Sequence, residues 1–146
     1  MVLSNLFKPK ASILFSLDEA ARALHEYGFS IENMKDRSMG DQPMQRLKVK
    51  RDAFSFILVS DGRIITFLAL AKLTNEWSDR DIIEWNLNKS YMTFTYSPEG
   101  NLAILKHHCF ISEGVPEKTF LRLSELWIAL MSKFLDEMGL SETDWG

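Results

Sequence analysis

The chain has 146 residues, of which 46% are apolar, 12% aromatic and 25% charged, with a formal charge of −3. Such a make-up fits one folded domain with its own core and excludes a largely disordered chain. The charge balance does not suit a broadly basic nucleic-acid-binding surface. A single cysteine, Cys109, cannot close an internal disulfide, so a reducing compartment is expected. No stretch has the length of a membrane span, and the longest early apolar run, Ile13 to Phe15, is far short of a signal-peptide core. A cytoplasmic protein is expected.

Residues 1–15 read as an N-terminal arm, 16–139 as a single domain and 140–146 as a tail. Ser16 and Glu19 form a capping-box pattern ahead of a helix over 17–27. Leu17, Ala20, Ala21, Leu24 and Tyr27 share one side of it, and Gly28 suits the left-handed residue that stops it. Phe29 to Lys35 reads as a strand, and Ser38 to Pro43, with Gly40 and Asp41, as a turn or loop.

Residues 45–51 alternate, with Arg46, Lys48 and Lys50 on one face and Leu47 and Val49 on the other. A solvated strand face accounts for these cations more simply than a phosphate-binding stripe. The segments 53–59 (AFSFILV) and 63–72 (RIITFLALAK) read as strands joined by a hairpin turn at Asp61-Gly62. Their nearly continuous apolar character predicts cover on both faces.

Ser78 and Asp81 cap a second helix that carries Ile82, Ile83 and Trp85 inward and ends near Lys89. In the strand 91–96, Met92, Phe94 and Tyr96 point one way, and Thr93 and Thr95 the other. Ser97-Pro98-Glu99-Gly100 is a turn into a strand over 101–111. The last helix, 117–138, is predicted to have Pro116 at its first position and to stop at Gly139. Phe120, Leu123, Trp127, Leu130, Phe134 and Met138 make one stripe, and Leu121, Ile128 and Leu135 a second. Together they span roughly 220°, more than one packed face requires, so the N-terminal arm or another subunit is expected to cover the rest, with Leu121, Ile128 and Leu135 as the interface of a homodimer or partner. The order of elements predicts an α+β fold with an antiparallel sheet.

The segment ILKHHCFISEG holds the one cysteine beside two of the three histidines. On a strand, His107 and Cys109 share a face with Ala103, Leu105 and Ile111, whereas His108 points the other way with Leu102, Ile104, Lys106 and Phe110. Adjacent histidines on opposite faces do not grip one metal, and zinc needs three or four converging ligands. A thiol among apolar neighbours lacks the activation a nucleophile needs. No phosphate loop, dinucleotide fingerprint or nucleophile elbow occurs. The residues therefore predict no catalytic centre, no metal and no cofactor, with a ligand pocket or enzyme site near Cys109 as the alternative.

From residue 82 onward the chain resembles the YbjN family, described as bacterial sensory transduction regulators. The likeness is carried by Glu84-Trp85-Asn86 at a helix end, the hairpin Tyr96-Ser97-Pro98-Glu99-Gly100-Asn101-Leu102-Ala103-Ile104, and Glu113-Gly114-Val115-Pro116 ahead of the last helix. It covers about 16–138, most specifically 82–124. The chain departs from the pattern at Ser90-Tyr91, at Glu113, and at His107 or His108, where relatives tend to carry an acid. The resemblance implies a fold like that of type III secretion chaperones, a curved antiparallel sheet flanked by helices in the order α-β-β-β-α-β-β-α, often dimeric. It implies a non-enzymatic module that binds a protein or peptide; the charge balance and the lack of a membrane-length stretch already argue against nucleic-acid and membrane partners. Trp85, Asn86, Gly100 and Gly114 would then be mainly structural.

Overall fold

The computed structural model describes residues 12–34, 37–39, 42–89 and 92–140. In chain order the elements are β1 (Ile13–Leu14), α1 (Leu17–Glu26), β2 (Ser30–Asn33), β3 (Arg37–Met39), β4 (Gln42–Arg51) and β5 (Phe54–Ser60). They continue with β6 (Ile64–Lys72), α2 (Asp79–Asn88), β7 (Phe94–Ser97), β8 (Leu102–Phe110), β9 (Val115–Pro116) and α3 (Glu117–Met138). The fold is α+β. The antiparallel sheet runs β2-β4-β5-β6-β8-β7, and β1 pairs with β9 in a separate two-stranded sheet.

Five strands, rather than the three the resemblance implies, stand between α1 and α2. Beyond that order are β2, which falls within the strand read over Phe29 to Lys35, and β3; they lie end to end along the edge of β4, with Asn33 opposite Leu47 and Arg37 opposite Met44. Ser38 and Pro43, read as loop, are therefore paired strand residues. Pro43 is tolerated because β5 pairs with β4 only from Gln45 onward, so no neighbour on that side needs its missing N–H. Gly40 and Asp41 of that predicted turn, Lys35, Ser90, Tyr91, residues 1–11 and the tail 141–146 lie outside the described residues.

The helix ends follow local chemistry. Ser16 Oγ accepts the Glu19 N–H at 3.2 Å and donates to the Glu19 carboxylate at 3.3 Å. Ser78 and Asp81 form the full reciprocal box, with bonds of 3.1 and 3.2 Å. Pro116 is not the first helical residue. It sits opposite Ile13 in β9, and the Glu117 N–H donates to Ser12 O at 2.8 Å. The end of the predicted N-terminal arm is thus tied into the fold, with Leu14 buried. α3 stops at Gly139, whose φ is +66°.

All three helices sit on one face of the sheet. Phe67 of β6 is fully buried, with ring centroids 5.6 and 5.8 Å from Phe120 and Trp127 of α3 and 6.0 Å from Phe56. Phe94 of β7 meets Trp85 of α2 at 4.9 Å and Phe134 of α3 at 5.7 Å. α1 buries Leu17, Ala20, Ala23 and Leu24 in the same core. Ile83, expected to face inward, is 58% exposed, because the Ile82 and Trp85 side of α2 is the one against the sheet.

Candidate functional site

Register determines what the opposite face presents. Lys48 of β4 is opposite Ile57 of β5, Ile57 opposite Leu68 of β6, and Leu68 opposite Lys106 of β8. One straight row across four strands therefore reads cation, aliphatic, aliphatic, cation. The next row is Arg46, Val59, Thr66 and His108. Further along, Lys50 is opposite Ser55, and Leu70 opposite Ile104. Ile57, Val59, Leu68, Leu70 and Ile104 are only half-buried. The expectation that strands 53–59 and 63–72 are covered on both faces is not met among the described residues, because their helices are all on the other side.

Across the described strands this open face carries Arg46, Lys48, Lys50, Lys72 and Lys106 against one acid, Glu32, which is opposite Lys48. A local excess of cations thus stands on a chain whose formal charge is −3. Met44, Arg46, Val59, Thr66, Leu68, Lys106 and His108 line a concavity of about 380 Å³ on it. The Thr66 hydroxyl and His108 Nδ1 are 2.9 Å apart, which fixes the imidazole against the wall. The Ser55 hydroxyl is buried with no hydrogen-bond partner among the described residues.

Two other concavities also carry charged groups. Beside Ile128 and Ser132, Arg51 pairs with Glu125 at 3.8 Å and lies over the Phe29 ring at 4.9 Å. The Tyr27 hydroxyl donates to Glu125 Oε1 at 2.6 Å, and this bond to a carboxylate raises the tyrosine pKa. Beside Trp77 and Trp85, Asp81 accepts the Ser78 N–H, and Glu84 pairs with Arg80 at 3.1 Å.

The histidine and cysteine cluster is divided as its alternation predicts. Cys109 is buried on the core face, opposite Ile65, and His108 is on the open face. His107 is on the core side opposite Phe67, its ring 6.2 Å away, yet it is exposed. Burial pushes the Cys109 thiol pKa up, the reverse of nucleophile activation. The open-face concavity is lined by His108 and not by Cys109. Among the described residues no group of three His, Cys, Asp or Glu side chains is placed to hold a metal, and no helix is long and apolar enough to cross a membrane.

The motif residues lie at junctions between elements. The Asn86 side chain accepts the Phe94 N–H and donates to Phe94 O, both at 3.0 Å, clasping α2 to β7 as a neighbouring strand would. Gly114 has φ +89°, and a Cβ there would come within 2.5 Å of Ile13 and 2.8 Å of Phe15. Gly100 lies in the turn, but the left-handed residue is its neighbour Asn101, at φ +52°. Asn101 also accepts from the Tyr96 hydroxyl at 2.5 Å and donates to Leu73 O at 2.9 Å. Sequence reasoning passed over it, although asparagine after a Pro-Glu-Gly turn is a recognised left-handed signal. In the predicted interface stripe, Leu135 is 4% exposed and Leu121 and Ile128 are half-buried against the core, while Leu126 is the outward residue at 54%.

No family model, curated protein or solved structure matches the chain.

Proposed function

We propose that this protein is a non-enzymatic binding module, chaperone-like or regulatory, that docks an acidic segment of another polypeptide on the open face of its sheet. The row Lys48, Ile57, Leu68, Lys106 carries the reading: half-buried aliphatic side chains offer apolar area, and cations on both sides select acidic flanks. The motif likeness to YbjN proteins supports the same class of activity, and a reducing, cytoplasmic setting suits the lone cysteine. A second copy of the chain is a poor occupant, since a two-fold contact would set cation against cation. Nucleic acid is also disfavoured. Neither row carries a Phe, Tyr or Trp, and His108 is their one ring, whereas single strands are held on sheet faces largely by stacking of successive bases.

Panning a phage library of random peptides against the wild-type chain and against K48Q/K106Q tests this. Neutralisation is preferred to charge reversal because Glu32 is opposite Lys48. The wild type should enrich sequences rich in Asp, Glu, Leu and Ile, and the variant should lose them. The absence of enrichment, or the same set from both, would refute the proposal.

A further inference from the structure

We infer that the occupant of the open face is an amphipathic α-helix, its apolar stripe on β5 and β6 and acidic side chains along both flanks. This rests on the docking reading above and adds the partner's shape and charge pattern.

The first ground is backbone chemistry. β5 has β4 and β6 on its two sides, and β6 has β5 and β8, so the floor of the groove offers no unpaired backbone row. An extended segment laid on it would bury N–H and C=O groups without partners. A helix satisfies its own backbone and presents side chains only.

The second ground is width. Lys48 and Lys106 are three strand steps apart, about 14 Å at the usual inter-strand spacing. A helix with its side chains is about 10–12 Å across, so it fits between the cationic strands with its flanking carboxylates beside the ammonium groups. Along β4 the cations Arg46, Lys48 and Lys50 recur every two residues, about 6.7 Å. One helical turn advances about 5.4 Å, so acids one turn apart keep near these positions over a short helix.

The third ground is the concavity of about 380 Å³ at one end, between Met44, Val59, Leu68 and the fixed His108 ring. It provides a socket for one large apolar side chain of the stripe, the anchor such grooves use. The chain's own residues 1–11 do not match, for they carry Lys8 and Lys10 and no acid.

Two synthetic 18-residue peptides of identical Leu, Ile, Glu and Ala composition test the inference. One spaces its apolar residues at i, i+3, i+4 and i+7 between glutamates; the other is permuted to strict alternation. By fluorescence anisotropy at low salt the helical peptide should bind at least tenfold more tightly and gain helicity by circular dichroism on binding. K48Q/K106Q and Leu68→Asp should each weaken it at least tenfold while the chain keeps its fold by the same spectroscopy. Equal or tighter binding of the alternating peptide would overturn the helical occupant and leave the docking reading standing. If neither peptide binds, or binding ignores both variants, both readings fall. Three further outcomes would assign the face elsewhere: a wild-type dimer dissociated by Leu68→Asp, to a second copy; oligonucleotide binding lost in K48Q/K106Q with no peptide bound, to nucleic acid; and a tenfold gain in peptide affinity in E142Q/D144N, to the chain's own acidic terminus.

Discussion

The two faces of the sheet are made by the same strands, one residue out of phase, and differ in what covers them. On one face Phe56, Phe67, Phe94 and Leu105 disappear beneath three helices. On the other, Ile57, Val59, Leu68 and Ile104 remain partly exposed, with Lys48 and Lys106 at the ends of the row through Ile57 and Leu68. An antiparallel sheet with one solvated face normally carries polar residues there. The aliphatic floor is thus more than the fold needs, and its cations are more than solubility needs in a chain with a net negative charge. The covered face is the core, and the open face is where we propose recognition.

The comparison is broken most directly by truncating neighbours on opposite faces. Phe67→Ala should cost about 3–5 kcal/mol, because the ring is enclosed by Phe56, Phe120 and Trp127. Leu68→Ala, one residue along, should cost about 1–2 kcal/mol, since its side chain is only partly buried. Urea unfolding of both variants measures the gap. Equal costs would mean that the open face is covered in the folded protein.

The clasp that holds α2 over the covered face comes next. Asn86→Ala removes both bonds to the Phe94 backbone and should cost about 1–3 kcal/mol. Hydrogen exchange at the Phe94 amide should quicken while the amides of β5 stay protected. Uniform loss of protection would show that α2 is not a separable cover.

Much of the covered face was legible in the sequence, and little of the open one. Alternation placed Leu47 and Val49 opposite Lys48 and Lys50, and separated His108 from Cys109, because a strand's period is local. Cover is not local. Strands 53–59 and 63–72 looked buried on both sides, yet three short-loop helices all pack on one. The row Lys48, Ile57, Leu68, Lys106 joins residues separated by 9, 11 and 38 positions in the chain. Its existence depends on the hairpin registers and on β8 returning beside β6 after α2 and β7, which no periodicity encodes. The capping signals at Ser16 and Ser78 held because each is decided within four residues. Asn101 was missed because its partners, Tyr96 and Leu73, assemble only when the hairpin closes on β6.

A smaller effect separates two glycines. Gly62 in the β5–β6 turn and Gly114 before β9 both have positive φ, +96° and +89°. Alanine at either should cost about 1–2 kcal/mol from backbone strain. At Gly62 there is open space, whereas at Gly114 the new methyl meets Ile13 and Phe15. The excess of Gly114→Ala over Gly62→Ala in thermal unfolding therefore measures how firmly β1 closes that edge of the covered side. No excess would mean that Ile13 and Phe15, both exposed, simply move aside.

The smallest effect is electrostatic and lies at the turn joining the two central strands. Asp61 accepts the Arg63 N–H at 2.8 Å and the Ile64 N–H at 3.1 Å, and these bonds hold its pKa below the usual carboxylate value. A carboxyl depressed by folding contributes stability that is present above its unfolded pKa, about 3.9, and is lost as pH falls through the lower folded value. Asp61→Asn keeps an oxygen acceptor but no charge. Its stability should be slightly below wild type at pH 7 and should decline less steeply below pH 4, as chemical denaturation across that range would record. Parallel declines would show that the turn carboxylate does not sense folding.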